Sequence, residues 1–580
     1  MLTLNEIKEL VAEKGKDSRI GNFRSLRTQQ RNDKKFYDLK YEIEIHGDFK
    51  KIKLPTARQL VDTAVSHLPL SKPVVEVIPF KETVPMREHA VKQQDYYTAL
   101  LLWNMQQAAN VVQNASKDIF IRGEAFLKTL WDEDVIGATD ESSKKTKEDI
   151  EKLNDLRRSL MLEKMPLRII CPDPMNCYPH PDHIDCHPVD MVEVYNILAG
   201  QVHRIWPKWK QSTSDNVPVR LGEYWANESV CFLADGEPVL EGGVEKNPYR
   251  IVPYTHVYSG YGHRDTDATP ESQAVSLITY AKSVIEQNCR YHAYLDKAAA
   301  FASMPIIELP GARSDYEEGG KAAPKTPKPG MIVYRGEGEE GAKVVWAAPN
   351  LPAGILQAIG VTEGLLSKVQ PGVVRGEAPR GIEAGYPMAL MIGEARLQFG
   401  LPLQNLQILF SRALEHVRLL IRDVAKEEVP IWGEKSVINL SPDDCEGAYR
   451  VNVEFDSTTP EARANRALMG QRLRQGGSIS LETELRDYHN NKNPHKEINR
   501  IRAESLAEHP ALQRLAAVNA VREIEGEQAA LTVQQAMEEA EAGATRKAES
   551  SGGPREEYEL PEDILAQDLS RRGKALRAEE

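Results

Sequence analysis

The sequence predicts an α+β protein that is mainly helical, and three observations carry that reading. Apolar residues recur at helical spacing over long stretches, as in Leu101, Met105, Ala108 and Val112, and again in Leu406, Phe410, Leu414, Val417, Ile421 and Val424. From 167 to about 258 the pattern changes to short runs rich in Val, Ile, Tyr and Trp, broken by turn dipeptides such as Asp235-Gly236. A compact Pro/Gly-rich island at 303–350 then separates two further helical stretches.

Bulk properties narrow the class. A chain of 580 residues is too long for one simple core, so about two to four structural regions are expected. Its net charge of −13 argues against a broad basic surface clamped onto nucleic acid. Six cysteines, at 171, 177, 186, 231, 289 and 445, show no regular disulfide framework, which suits a reducing compartment. The longest apolar run near a helix is the short Ala99-Leu100-Leu101-Leu102-Trp103, and the first residues are already charged. No secretory signal or membrane span is therefore expected, and the cytoplasm is the default compartment.

The elements follow in order. Residues up to about 51 read as a helix followed by a basic, tyrosine-rich segment. An amphipathic helix through Leu60, Ala64 and Val65 leads to a short strand at Val74 to Ile78, bracketed by prolines. The spacing predicts one long helix over 86–119, then a Gly123 turn and an apolar strand. The charged stretch 140–157 reads as an exposed helical insertion in the β-rich part. Thr269 and Pro270 stand where an N-cap and a first-turn proline belong, so a helix is expected over 271–300. In the island that follows, SMPIIELPG reads as a strand and MIVYRGEGEEGAKVVWAAP as two strands around a glycine turn. A helix at 351–369 precedes the stretch QPGVVRGEAPRGIEAGYP, and a long helix is expected over about 387–426. Gly400 and Pro402 fall inside that last helix, so a kink or break is predicted there. Strands return at 429–456, and the remainder is helical and charged, fading after about 541 into a polar tail.

Few motifs carry chemistry. Cys171, Cys177, His180, His183, Cys186 and His187 cluster in a way that invites a zinc reading, because thiolates and imidazoles suit that ion. The spacing lacks any Cys-x2-Cys, and four prolines make the segment an extended, turning loop, so no metal is assigned. Gly336, Gly338 and Gly341 match a dinucleotide fingerprint literally, but a strand-like Lys343-Val344-Val345-Trp346 follows where a helix is needed, and three glutamates would repel phosphate. No phosphate-binding Gly-x4-Gly-Lys loop, Gly-x-Ser-x-Gly elbow or His-Glu-x-x-His occurs. No catalytic residue and no cofactor is expected.

The order of elements says more than any motif. A helix, a small β island, a second helix, a flexible loop and a kinked helix would form two near-antiparallel helices with a small domain at one end and a loop at the other. Such a pair is too thin to stand alone, so it should pack against copies of itself. At this point the chain resembles the portal proteins of tailed bacteriophages. The segments that carry the resemblance are IFIRGEAFLKTLWDED, ATPESQAVSLITYAKSVIEQNCRYHAYLDKAAAFASMPIIELPG and GQRLRQGGSISLETELRDYHNNKNPHKEINRIRAES, in that order.

The resemblance implies a portal-type architecture of wing, stem, clip and helical crown, assembling into a ring, typically a dodecamer, at one vertex of the capsid. Carried over, residues 1–268 and 388–456 are the wing, 269–300 and 351–370 the two stem helices, 301–350 the clip, and 457–580 the crown with a C-terminal tail. Residues 371–387 correspond to the tunnel loop, with Gly372, Val373, Val374, Arg375, Gly376, Arg380, Gly381 and Gly385 facing the passing DNA. The implied partners are double-stranded DNA in the channel, the terminase large subunit, head-completion, adaptor and tail proteins, and the major capsid and scaffolding proteins. The implied location is the virion, after assembly in the host cytoplasm. An acidic chain suits a conduit, because many phosphate contacts from Lys and Arg would hold the DNA instead of passing it. Two other classes stay open: a metal-dependent nucleic-acid enzyme using the Cys171 to His187 cluster, and a soluble scaffold that binds partner helices through its charged C-terminus.

Overall fold

In the computed structural model the chain is a mixture of helix and strand, as the sequence predicts, with no helix among the described residues long and apolar enough to cross a membrane. The structure describes residues 2–15, 18–45, 50–68, 73–81, 83–132, 147–181, 186–209, 214–264, 269–304, 307–309, 332–334, 343–344, 353–369, 397–434, 436–455, 460–489, 497–498 and 500–502. Two compact units divide it, Met1–Thr459 and Pro460–Glu580.

The first unit begins with helices α1 (Leu4–Val11), α2 (Arg19–Asn22), α3 (Arg24–Tyr37) and α4 (Thr56–His67), so the basic, tyrosine-rich segment is helical only up to Tyr37. Strand β1 (Val74–Pro79) follows, then α5 (Val84–Met105) and α6 (Val111–Arg122). The long helix expected over 86–119 is thus two helices. Asn110 explains the restart, because its side chain caps the new helix by accepting the Gln113 N–H at 3.0 Å. Gly123, at φ +79°, ends α6 and turns the chain into β2 (Glu124–Trp131), which is buried almost throughout. Helix α7 (Lys147–Lys164) is the charged insertion. It buries Met161 and ties Arg157 and Arg158 to Glu427 and Glu428 at 2.6 and 2.8 Å.

The β-rich part holds β3 (Leu167–Ile170), β4 (Cys177–Pro179), β5 (Asp190–Leu198), helix α8 (Ala199–Ile205), β6 (Pro218–Ala226), β7 (Ser229–Ala234), β8 (Glu237–Pro238), β9 (Glu245–Lys246) and β10 (Tyr254–Tyr258). Strands β4 to β8 form an antiparallel sheet in chain order, with β9 also paired to β7. Its β7–β8 hairpin turns through Asp235 and Gly236, both at positive φ, as the Asp-Gly dipeptide requires. Strand β2 is central in a separate sheet of order β10-β2-β3.

The helical layer continues with α9 (Pro270–Gln273), α10 (Leu277–Ser303), α11 (Ala353–Val369) and α12 (Gly400–Leu420). Between α10 and α11 lies a small sheet of β11 (Ile307–Leu309), β12 (Ile332–Tyr334) and β13 (Lys343–Val344). Sequence reasoning made β12 and β13 a hairpin around the glycines. Instead both flank β11, one parallel and one antiparallel, because the Ile-Glu-Leu strand offers two free edges and takes both neighbours. The first unit closes with β14 (Val429–Trp432), β15 (Val437–Leu440) and β16 (Tyr449–Glu454). Strand β16 pairs antiparallel with β1, Val74 opposite Glu454, which joins the last strand of this unit to its first. Its main core runs from Phe36 to Phe455 and fills the space between α4, α5, α6, α10, α12 and the β2 sheet.

In the second unit, α13 (Pro460–Gln475) is followed by a helical turn capped by Ser480, and Arg474 pairs with Glu484 at 3.2 Å.

Candidate assembly surface

Helix α11 has two ionisable side chains in its whole length, Glu363 and Lys368. One stripe, Ile359, Thr362 and Leu366, is buried, and the Thr362 hydroxyl reaches Asn288 Oδ1 of α10 at 3.1 Å. On the sides turned away from that stripe, Leu356, Val361 and Leu365 are 51, 59 and 43 % exposed, alongside the exposed polar Gln357, Glu363 and Lys368. Three large apolar side chains exposed on one short helix mark it as a candidate contact surface. Gly360 and Gly364 lie between these residues on the outer side, and open space surrounds each of them. Glycine inside a helix costs about 1 kcal/mol relative to alanine, and among the described residues nothing packs close enough to require it. Val361 and Leu365 also border a groove of about 540 Å³ shared with Val284, Gln287 and Tyr291 of α10.

The base of α10 is held firmly. The expected helix over 271–300 is interrupted at Ala274 to Ser276, and Ser276 restarts it with a capping box to Thr279. Asp33 of α3, buried, accepts from the Ser276 and Thr279 hydroxyls at 2.8 and 2.6 Å, and its other oxygen meets Lys282 Nζ at 2.6 Å. A carboxylate there opposes the positive end of the helix dipole. The interruption itself needs Gly123, since a Cβ at that position would stand 2.5 Å from the Ala274 carbonyl carbon. No residue of α10 after Ala293 is buried.

Behind this anchor, β2 carries a chain of buried charges. Lys128 Nζ lies 2.7 Å from Glu223 and 2.9 Å from Glu193. Tyr254 donates to Glu193 at 2.6 Å, while Tyr195 and Trp225 donate to Glu223 at 2.6 and 2.8 Å. Burial would lower the Lys128 pKa, but the two carboxylates hold it above the usual lysine range. At the start of the same strand, Glu124 meets Arg27, accepts from Gln30 at 2.8 Å and lies 3.0 Å from His256 Nε2. Burial pushes the Glu124 carboxyl up, yet Arg27 and His256 bring it down to about 2. These bonds fix α3, and with it Asp33, against the sheet.

The residues singled out by sequence fall in different places. The tunnel-loop positions Gly372, Val373, Val374, Arg375, Gly376, Arg380, Gly381 and Gly385 lie outside the described residues, as does His183. Gly400 is the first residue of α12, preceded by a tight turn at Leu397–Phe399, and Pro402 sits in the first helical turn, where no backbone N–H is needed. The Cys/His cluster is spread over separate surroundings. Cys171 lies 3.5 Å from Asp118, whose carboxyl burial pushes up to about 7. Cys177 is in the core, the His180 N–H donates to the Asp190 carbonyl at 3.2 Å, and the Cys186 carbonyl accepts from the His256 N–H at 2.9 Å. The His187 ring faces His416 of α12 with 4.8 Å between centroids. Among the described residues no group of three or more His, Cys, Asp or Glu side chains could hold a metal ion.

Sequence reasoning missed Asp33, the Lys128 network and His416. Lys128 inside the apolar run Glu124–Trp131 was the available signal, since a lone cation in a buried strand needs carboxylate partners. No protein-family model matches the chain, and no curated protein matches it in sequence.

His416 makes a testable contribution to stability. Burial, with His187 and Arg412 beside it, pushes its pKa down to about 3 from 6.5. The folded chain thus keeps it neutral while the unfolded chain protonates it below 6.5. Stability is full above that pH and is lost as the pH falls towards 3, by up to about 1.4 kcal/mol per unit. Urea unfolding at pH 7.5 and 5.5 should show His416→Leu gaining on the wild type at the lower pH; a difference independent of pH would contradict this.

Proposed function

We propose that this chain is the subunit of a portal ring of the tailed-bacteriophage type. The ring is a non-enzymatic channel at one capsid vertex, through which double-stranded DNA is packaged and later ejected. The observation that supports it most is the pair α10–α11, with a small sheet between the two helices in the chain and an outer side of α11 on which Leu356, Val361 and Leu365 are exposed. Copies of the same pair, repeated around a closed ring, would bury that face once per interface without leaving an end. In this reading α10 and α11 are the stem, the β11–β13 sheet belongs to the clip, and residues 371–387 meet the passing DNA. The net charge of −13 favours passage over grip. The terminase large subunit and then adaptor and tail proteins would dock on the ring, with capsid and scaffolding proteins around it, in a typically dodecameric assembly.

Negative-stain electron microscopy of the purified chain is expected to give rings with a central hole. A chain that stays monomeric over a wide range of concentration and salt, in the presence of scaffolding protein as well, would overturn the reading.

A further inference from the structure

Between α12, the start of β16 and the His187–Val189 segment lies a cleft of about 780 Å³, a size that suits a small ligand. Arg412, Arg418 and Arg450 line it against a single carboxylate, Glu415. In a chain of net charge −13 this is a local reversal of sign. Arg412 pairs with Glu415 at 2.7 Å, and Arg418 is braced by the Cys445 and Gly447 carbonyls at 3.1 and 2.8 Å, so its guanidinium is held in place before any ligand arrives. Three polar atoms of lining residues are buried with no hydrogen-bond partner: His416 Nδ1, Tyr449 Oη and Arg418 Nε. Unsatisfied buried groups are uncommon, and these three belong to residues of one cleft, beneath its surface.

We propose that this cleft binds a small oxyanion of the phosphate class. Planar guanidinium groups match the oxygens of phosphate with paired, charge-assisted hydrogen bonds. A divalent cation would instead face three guanidinium groups. Pro188, Val189, Ile251 and Val252 form an apolar wall beside the cationic end, leaving room for an organic body attached to the phosphate. The inference concerns the single subunit and stands apart from the ring reading.

Isothermal titration calorimetry on the full-length chain, at constant ionic strength set by chloride, tests it with inorganic phosphate and with adenosine monophosphate. One saturable site per chain is expected, weakened about tenfold or more in Arg412→Gln/Arg450→Gln. Both side chains are exposed, so the variant should melt like the wild type. Lys50→Gln/Lys51→Gln, which removes equal charge elsewhere, should bind like the wild type. Tighter binding of the monophosphate would assign an organic phosphate, and equal binding the free ion. Absence of saturable heat with either probe up to about 10 mM, or equal affinity in Arg412→Gln/Arg450→Gln, would overturn the proposal.

Discussion

Replacing Val361 and Leu365 together with glutamate is expected to leave a folded subunit that no longer assembles. Both side chains are largely exposed on the isolated chain, so the substitution should change subunit stability by no more than about 0.5 kcal/mol per site. At a contact between copies the same two carboxylates would be buried without partners, each costing several kcal/mol at every interface. Size-exclusion chromatography with light scattering should therefore show monomer where rings are expected of the wild type, with unchanged circular dichroism. Rings of wild-type size in the variant would remove α11 from the interface. A substitution of Leu156 to glutamate on α7, also exposed, should by contrast leave assembly intact.

The second large effect is expected inside the subunit. Lys128→Met should cost about 3–5 kcal/mol, because Glu193 and Glu223 would remain buried with no cation between them. That is a large part of the 5–15 kcal/mol that stabilises an ordinary domain, so much of the protein should unfold or aggregate on expression. Adding Glu193→Gln and Glu223→Gln to Lys128→Met removes the stranded charges while Tyr195, Tyr254 and Trp225 still find amide acceptors, and most of the loss should be recovered. Chemical unfolding of the three proteins compares them. A single variant within about 1 kcal/mol of the wild type would mean that the network is solvated in a way its geometry does not suggest.

Parts of this architecture were legible beforehand. The apolar spacing announced α10, α11 and the body of α12, and Asp235-Gly236 announced the hairpin it makes. Breaks were harder to see. The division of 86–119 at Asn110 rests on one capped N–H, and the interruption at Ala274 rests on the room beside Gly123, a residue some 150 positions away in the chain. The pairing of β12 and β13 failed for a related reason: a short glycine-rich link permits a hairpin but does not compel it when another strand can occupy the space between.

By itself the sequence determined what is local: the type of most elements, the acidic balance, the absence of common catalytic signatures, and two helices with a β island between them. Helical and strand periodicities, caps and turn dipeptides act over a few residues, so they can be read from neighbours in the chain. Only the tertiary structure decided which distant groups meet. Val74 lies opposite Glu454, Asp33 meets Ser276, and Lys128 is placed between Glu193 and Glu223. It also decided that Leu356, Val361 and Leu365 of α11 are exposed and that three arginines line one cleft. Burial is a property of the whole packed chain, and it alone leaves Leu365 exposed on α11 and makes an ordinary lysine, Lys128, a support of the core.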